Sequence, residues 1–322
     1  MLAAYAARQS ADDPLSGLEV GDIEAPSTPE DWVTVNVRTA ALNHHDVWSL
    51  RGVGLPADRL PMILGCDAAG TDDQGNEVLV HAVIATPGWV GDETLDPKRS
   101  LLSELHPGTL AEQVRVPARN VVPKPTGLSW EQAACLPTAW LTAYRMLFTN
   151  GGISEGDTVL VQGASGGVAT ALVQLGSAAG LRMWVTSRDA AKGEAALALG
   201  AAQAFESGAR LPERVDAVME TVGAATWSHS VNSLRPGGRI VICGATSGDA
   251  PAKAELTKIF FKQLQVIGST MGTREELEQL AEFVVANGIV PRIDRVLPLA
   301  DAREGFEAMA AGQVDGKVVF TV

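Results

Sequence analysis

This sequence predicts an α/β chain carrying a doubly wound parallel sheet, and three observations support it. The apolar run Val159-Leu160-Val161-Gln162 ends in the glycine-bearing turn Gly163-Ala164-Ser165-Gly166-Gly167 and hands over to a helix. Beyond it, short apolar strands alternate with helices at a pitch that suits a parallel sheet covered on both faces. Upstream, the first 125 residues read differently, as short β-type runs punctuated by Gly, Pro and Asp.

The strand-rich part comes first. Its clearest strands are Trp32-Val33-Thr34-Val35-Asn36-Val37 and Glu77-Val78-Leu79-Val80, and Ala85 to Gly108 is its most irregular stretch. Pro123-Lys124-Pro125 reads as a hinge. The turn after the first sheet strand has the spacing Gly163-x-x-Gly166-x-x-Ala169, which departs from G-x-G-x-x-G in two places. Ala169 is still small enough for the helix to lie close on its strand. That helix presents Val168, Leu172, Leu175 and Ala179 on one face and stops at Gly180. A strand over Arg182 to Thr186 precedes a helix from Ala190 to Leu199, ended by Gly200. Val215 to Met219 is a strand, and Trp227 to Leu234 a helix closed by Arg235-Pro236-Gly237-Gly238. Arg239 to Cys243 and Leu264 to Ile267 are two more strands. A helix from Arg274 to Ala286 comes next, and the segments at Val296 and Lys317 to Phe320 return to the first domain. Such a sheet binds its ligand at the carboxyl ends of the strands, here Gly163, Ser187, Thr221, Gly244 and Ser269. The active site is expected in the cleft between the domains.

A strand that ends in glycines and opens a helix lets backbone N–H groups and the positive helix end face a phosphate. About 20 residues on, an NAD site carries an acid for the ribose. Here that place reads Thr186-Ser187-Arg188, with Lys192 one turn further. Hydroxyls and a guanidinium suit a 2′-phosphate, which favours NADPH over NADH. The competing reading makes Arg188 and Lys192 solvated charges on a helix face. Asp189 is read as the first-turn carboxylate of the next helix.

A length of 322 residues leads to an expectation of two domains, and 46% hydrophobic residues suffice for two cores. A net charge of −13 argues against nucleic acid or an anionic membrane as a main partner, since both recruit clustered cations. No apolar run reaches the length of a membrane span, and no basic segment with an apolar core opens the sequence. Cys66, Cys135 and Cys243 are scattered and odd in number, as expected of reduced thiols in the cytoplasm.

Several motifs in order carry a family resemblance over nearly the whole chain. They are Ala40-Ala41-Leu42-Asn43-His44-His45-Asp46, Leu64-Gly65-Cys66-Asp67-Ala68-Ala69-Gly70, Gly108-Thr109-Leu110-Ala111-Glu112-Gln113, Leu136-Pro137-Thr138-Ala139-Trp140-Leu141-Thr142-Ala143-Tyr144, the glycine turn, and Asp315-Gly316-Lys317-Val318-Val319-Phe320. The chain resembles the medium-chain dehydrogenase/reductases, on the zinc-independent quinone oxidoreductase side. The resemblance implies a GroES-like, strand-rich catalytic domain over residues 1–125, completed by 271–322, and a Rossmann NADP-binding domain over 126–270. It also implies a homodimer, joined through the strand near Leu264 to Ile267.

The positions that hold zinc in zinc-dependent relatives match Asn43, Cys66 with Asp67, and Thr138 here. Only Cys66 and Asp67 are zinc-ligand types, and no Cys lies between Cys66 and Cys135 to build a structural zinc lobe. No metal is therefore expected. Without a Lewis acid, conjugated acceptors such as quinones and α,β-unsaturated carbonyls are the expected substrates, because they accept hydride most readily. The resemblance implies the same substrate class.

Asn43, His44 and Asp46 are the candidate catalytic residues. Asn43 reads either as a hydrogen-bonding group near the nicotinamide ribose or acceptor oxygen, or as a turn residue bonding its own backbone. Asp46 is expected to order the loop, and the proton is expected from His44, His45 or solvent. For the cofactor, Ser165, Gly166, Gly167 and Val168 match the pyrophosphate turn. Gly244, Ala245 and Thr246 lie where the family lays the nicotinamide half, and Ser269, Thr270 and Met271 resemble the carboxamide-binding segment. Lys317 matches a cation near the cofactor phosphates, or reads as an ordinary exposed lysine. Two other functions stay open: a zinc-type alcohol or aldehyde dehydrogenase with a rewired metal site, and a non-catalytic NADPH-binding protein.

Overall fold

In the computed structural model, which describes all 322 residues, the chain folds as two units. One comprises Met1–Leu141 with Gly272–Val322, the other Thr142–Met271.

The first unit is organised around the long strand Trp32–Ala41. Val35 and Val37 point into the core while Asn36 and Arg38 face water, the period-two alternation of a half-buried strand. From Thr39 to Ala41 the strand is buried on both faces. It pairs antiparallel with Asp67–Thr71, Gln113–Pro117 and Lys317–Thr321 in a seven-stranded sheet. The carboxyl-terminal strand is thus a neighbour of the central one. The helix Trp130–Ala134 packs against Trp32–Ala41 and Asp67–Thr71, and Thr39 Oγ1 donates to the Trp130 carbonyl at 2.8 Å. Residues 126–141 therefore belong with the strand-rich unit, although their sequence texture groups them with the parallel-sheet unit.

The second unit is a six-stranded, all-parallel sheet. Numbered by position in the chain, its strands lie in the order 3-2-1-4-5-6, as Gln203–Glu206, Arg182–Ser187, Thr158–Gln162, Val215–Glu220, Leu234–Ile242 and Gln265–Gly268. This is the Rossmann order, whose switch point lies between the first and fourth strands. Its core gathers Leu160, Trp184, Val218, Val231 and Ile240, and Trp184 meets Phe205 edge-on at 5.2 Å. The helix Gly167–Ala178 approaches the sheet most closely at Gly176, where an added Cβ would stand 2.3 Å from Met183 Sδ. The helix Ala190–Ala198 is capped by Asp189, whose carboxylate accepts from Ala191 N at 2.8 Å. One strand begins earlier than its apolar run: Leu234 already pairs with Val215, and the ladder resumes at Arg239 after the intervening turn.

Candidate active site

The first unit brings two polar networks together around one turn. Asn43 stands at the N-terminus of the short helix His44–Leu50. Asp46, one turn in, accepts from Asn43 N at 2.8 Å and from Gly65 N at 2.9 Å. A buried carboxylate is costly unless hydrogen-bonded, and these two amides hold it. Burial still raises the Asp46 pKa, against the pull of His45 and Lys317. Asp46 thus clamps the Asn43 turn to the segment Gly65-Cys66 that leads into the strand Asp67–Thr71.

The first network is an ion pair sealed from water. Lys317 is only 2% exposed. Its ammonium donates to the Leu42 carbonyl at 2.8 Å, to Asn43 Oδ1 at 2.7 Å and to Asp67 Oδ2 at 2.8 Å. Asn43 Nδ2 donates to the same Asp67 oxygen at 2.9 Å. Lys317 is therefore not an exposed lysine, and all three ammonium protons have acceptors inside its own unit. Asp67 Oδ1 and Thr138 Oγ1 are buried without a partner. Thr138 lies in a π-turn, Leu136–Trp140, that packs on the Asp67 strand.

The second network joins a carboxylate, an imidazole and a thiol. His45 Nε2 lies 2.9 Å from Glu104 Oε1, and its Nδ1 lies 3.6 Å from Cys66 Sγ and 3.5 Å from Ser103 Oγ. The Cys66 thiol donates to the Leu102 carbonyl at 3.3 Å. Gly54, at φ +81°, leaves room for Glu104: a Cβ there would stand 2.6 Å from its Oε1. Burial works against a charged His45 ring, but Cys66, Glu104 and Asp46 outweigh it and hold the pKa well above the ordinary value. Burial also raises the pKa of the Cys66 thiol. The neighbouring His44 differs: it is exposed, and partial desolvation plus the charges of Lys317 and Arg51 push its pKa down. The two neighbouring imidazoles are thus shifted in opposite directions, His45 toward the protonated form and His44 toward the neutral one.

These donors do not fit a zinc centre. The one carboxylate at the position already faces an ammonium and an amide, Asn43 and Thr138 offer neutral oxygens, and no group of three His, Cys, Asp or Glu side chains is placed to hold a metal ion.

In the second unit, Gly163 takes φ +98°, and Gly166 precedes the first turn of the helix Gly167–Ala178 with nothing within 4 Å of an added Cβ. Ser165, Gly166, Gly167 and Val168 thus present an open cradle of amides at a twelve-residue helix N-terminus, which fits a dinucleotide pyrophosphate. Ser187 Oγ is engaged with Asp189 in the local turn, Arg188 is exposed, and Lys192 lies in the first turn of the next helix. Gly244 passes close to the Thr221 carbonyl, leaving 3.1 Å for a Cβ, and Ala245 and Thr246 continue that loop. Ser269 accepts from Asn150 Nδ2 at 3.0 Å, Thr270 is exposed, and Met271 is buried at φ +50°.

The sequence reading missed the layer beneath these loops. Thr221 Oγ1 donates to the Gln162 carbonyl, and Thr186 Oγ1 to Gln162 Oε1. Gln162 Nε2 donates to Ser230 Oγ, which donates to the buried Glu220. Glu220 in turn accepts from the amides of Val222 and Gly223 and from Thr226. One polar network so fixes the ends of the three central strands. Polar residues at the carboxyl ends of otherwise apolar strands were its only sequence signal.

Comparison with known proteins agrees with this architecture. Residues 29–126 match the alcohol dehydrogenase GroES-like domain, and residues 167–286 match the zinc-binding dehydrogenase family. A solved structure described as an NAD-dependent alcohol dehydrogenase is 31% identical, with a TM-score of 0.91 and full coverage of both chains. A 2-octenoyl-CoA carboxylase reductase solved with NADP and 2-octenoyl-CoA is 26% identical, with a TM-score of 0.90, covering 99% of this chain and 87% of that one. Acryloyl-coenzyme A reductase of Sulfurisphaera tokodaii is 29% identical over 95% of this chain and 97% of that protein. The chain belongs to the medium-chain dehydrogenase/reductase superfamily, a family of oxidoreductases.

Proposed function

We propose that the chain is a metal-independent, NADPH-dependent reductase of conjugated acceptors, either α,β-unsaturated carbonyl compounds or quinones. The observation that carries this reading is the Lys317 ammonium bonded to Asn43 and Asp67, two of the residues that the family resemblance matches to zinc-holding positions. An acceptor here meets no built Lewis acid, so it must be electrophilic on its own account. The acryloyl- and octenoyl-CoA reductases among the relatives support the unsaturated-carbonyl arm.

NADPH, when bound, supplies the hydride. The cradle of Ser165, Gly166, Gly167 and Val168 would hold its pyrophosphate, with Arg188 and Lys192 on the 2′-phosphate. Gly244, Ala245, Thr246, Ser269, Thr270 and Met271 would line the nicotinamide half. Hydride addition to the β-carbon leaves the α-carbon to take a proton. Of the two adjacent histidines, His45 is the suited donor: Glu104 orients its ring, and its surroundings favour the protonated form. Asn43 and Asp46 keep the turn in register, and Lys317 acts on Asn43 and Asp67. The three unpaired thiols suit the cytoplasm, and the exposed edge of the Rossmann sheet suits a homodimer.

The test is NADPH oxidation by metal-analysed protein with crotonyl-CoA, an aliphatic enone, 1,4-benzoquinone, 9,10-phenanthrenequinone and a simple ketone, with NADH alongside. Turnover of conjugated acceptors at substoichiometric zinc, with NADPH preferred, is expected. Chelator-sensitive turnover of the simple ketone alone would mean a rewired zinc dehydrogenase. Stoichiometric NADPH binding without turnover would mean a binding protein.

A further inference from the structure

His81 is fully buried in the first unit, outside both networks around the Asn43 turn. It comes directly after the strand Glu77–Val80. Its backbone N donates to the Asn120 carbonyl at 2.8 Å, and Asn120 Nδ2 returns a bond to the His81 carbonyl at 2.8 Å, so the residue is fixed on both sides. The ring reaches across 191 residues of sequence to the Gly272 carbonyl, with Nε2 at 2.9 Å. Gly272 has no room for a side chain, because a Cβ there would stand 2.6 Å from the Leu141 side chain and 2.9 Å from Glu276 Oε2. Immediately before it sits Met271, in the left-handed region at φ +50°, a conformation a side-chain-bearing residue keeps only when its surroundings impose it. Immediately after it, Thr273 caps the thirteen-residue helix Arg274–Ala286 in a reciprocal box with Glu276. Glu93 Oε1 accepts from Arg274 N at 2.6 Å and lies 3.6 Å from His81 Nδ1.

We propose that His81 is a positioning residue for the coenzyme: by holding the Gly272 carbonyl it sets the backbone of Ser269–Thr270–Met271. This rests on the proposed function, in which those three residues meet the nicotinamide half. At the other end of the segment, Asn150 Nδ2 and the Ile242 carbonyl already fix Ser269. His81 supplies the second anchor, and two anchors are what a three-residue stretch with a strained last member requires. The ring acts through its neutral form. Burial lowers its pKa, against the opposing influence of the Gly272 carbonyl, Glu93 and Glu275 and with that of Arg274. The Nε2 proton is then a fixed donor, and the Glu93 contact is not an ion pair at neutral pH.

The experiment compares wild type, His81→Leu, His81→Gln and Glu93→Ala. It reads the Kd for NADPH by fluorescence, the separate KM values for NADPH and acceptor, and amide hydrogen exchange over residues 269–276. Loss of one buried hydrogen bond should weaken NADPH binding in His81→Leu by about 3- to 10-fold. The KM for acceptor should stay unchanged, and exchange at 271–274 should quicken. Gln retains an N–H donor and should recover most of the affinity; a purely structural role would not sort the variants by donor. If His81→Leu does not fold, His81→Gln and Glu93→Ala still give a graded series, with looser exchange at Arg274 in Glu93→Ala. Wild-type affinity and exchange in folded variants that lack the bond would overturn the inference. Absence of NADPH binding by the wild type would instead overturn the functional reading beneath it.

Discussion

Lys317 and His45 show how far single side chains depend on partners distant in sequence. Lys317 finds Asp67 across 250 residues, and removing one member strands a charge in a site closed to water. Lys317→Met should therefore cost about 3–5 kcal/mol in urea unfolding, and adding Asp67→Asn should return most of it. An additive double mutant would mean that the pair is not energetically coupled. His45 carries the second residue-scale prediction. Its folded pKa lies above the unfolded reference near 6.5. The stability it contributes is thus complete below that reference and is lost as pH rises through the folded pKa. In its proposed role as proton donor, it should also give kcat an alkaline limb that falls through the same pKa. Glu104→Gln should move that limb to lower pH, and Gly54→Ala, by displacing the carboxylate, should move it the same way. An unmoved limb in both variants would assign the proton to another source. None of this pairing was legible in sequence. Asn43, His44 and Asp46 stood out because they adjoin in one motif, whereas Glu104 lies 59 residues from His45 in an irregular stretch with no periodicity to announce it.

At the scale of elements, the proposed coenzyme site makes the glycine turn and the strand after it the place to test coenzyme choice. Arg188 is exposed at the end of Arg182–Ser187, with no acid in the place of a ribose-binding carboxylate. One charge-assisted bond to a 2′-phosphate contributes about 1.5–3 kcal/mol. Arg188→Ala should accordingly lower NADPH affinity about 10- to 100-fold and leave NADH affinity nearly unchanged. Equal loss for both coenzymes would return Arg188 to a solvated helix-face charge. The sheet itself was legible because its strands are runs such as Val159-Leu160-Val161, buried on both faces, bounded by glycines that stop the helices. Gly180 and Gly200 take φ +75° and +111° at those stops. Residues 126–141 were not legible. Their helices and π-turn carry the same Ala- and Leu-rich texture as the sheet-covering helices, and only the tertiary contact of Trp130–Ala134 with the strands below decides their unit. The pairing of Leu234 with Val215 was hidden for a similar reason: Pro236, Gly237 and Gly238 interrupt the strand pattern while the backbone keeps its place in the ladder.

For the whole molecule, the last strand of the Rossmann sheet is where the proposed homodimer can be tested. Gln265–Gly268 is the end strand, and one side of its backbone faces outward. An edge so exposed is a template for pairing, and natural proteins blunt it with charge, proline or a cover. This one carries the exposed Val266 instead, and the helix Leu256–Phe261 just before it exposes Leu256 and the stacked pair Phe260 and Phe261, the latter 75% exposed. A second copy related by a two-fold axis answers both needs at once, since the same strand and the same apolar side chains then meet their own counterparts. At −13 per chain the two copies also repel, so association should tighten as salt screens that charge. Sedimentation of the wild type should give twice the 33.7 kDa chain mass at micromolar concentration, with a weaker dimer at low ionic strength. Val266→Asp combined with Phe261→Asp should give a monomer that still binds NADPH, because neither side chain belongs to the amide cradle or to the loops after the strands. A wild-type chain that sediments as a monomer, or a dimer indifferent to both substitutions, would place the interface elsewhere and leave this edge to some other cover.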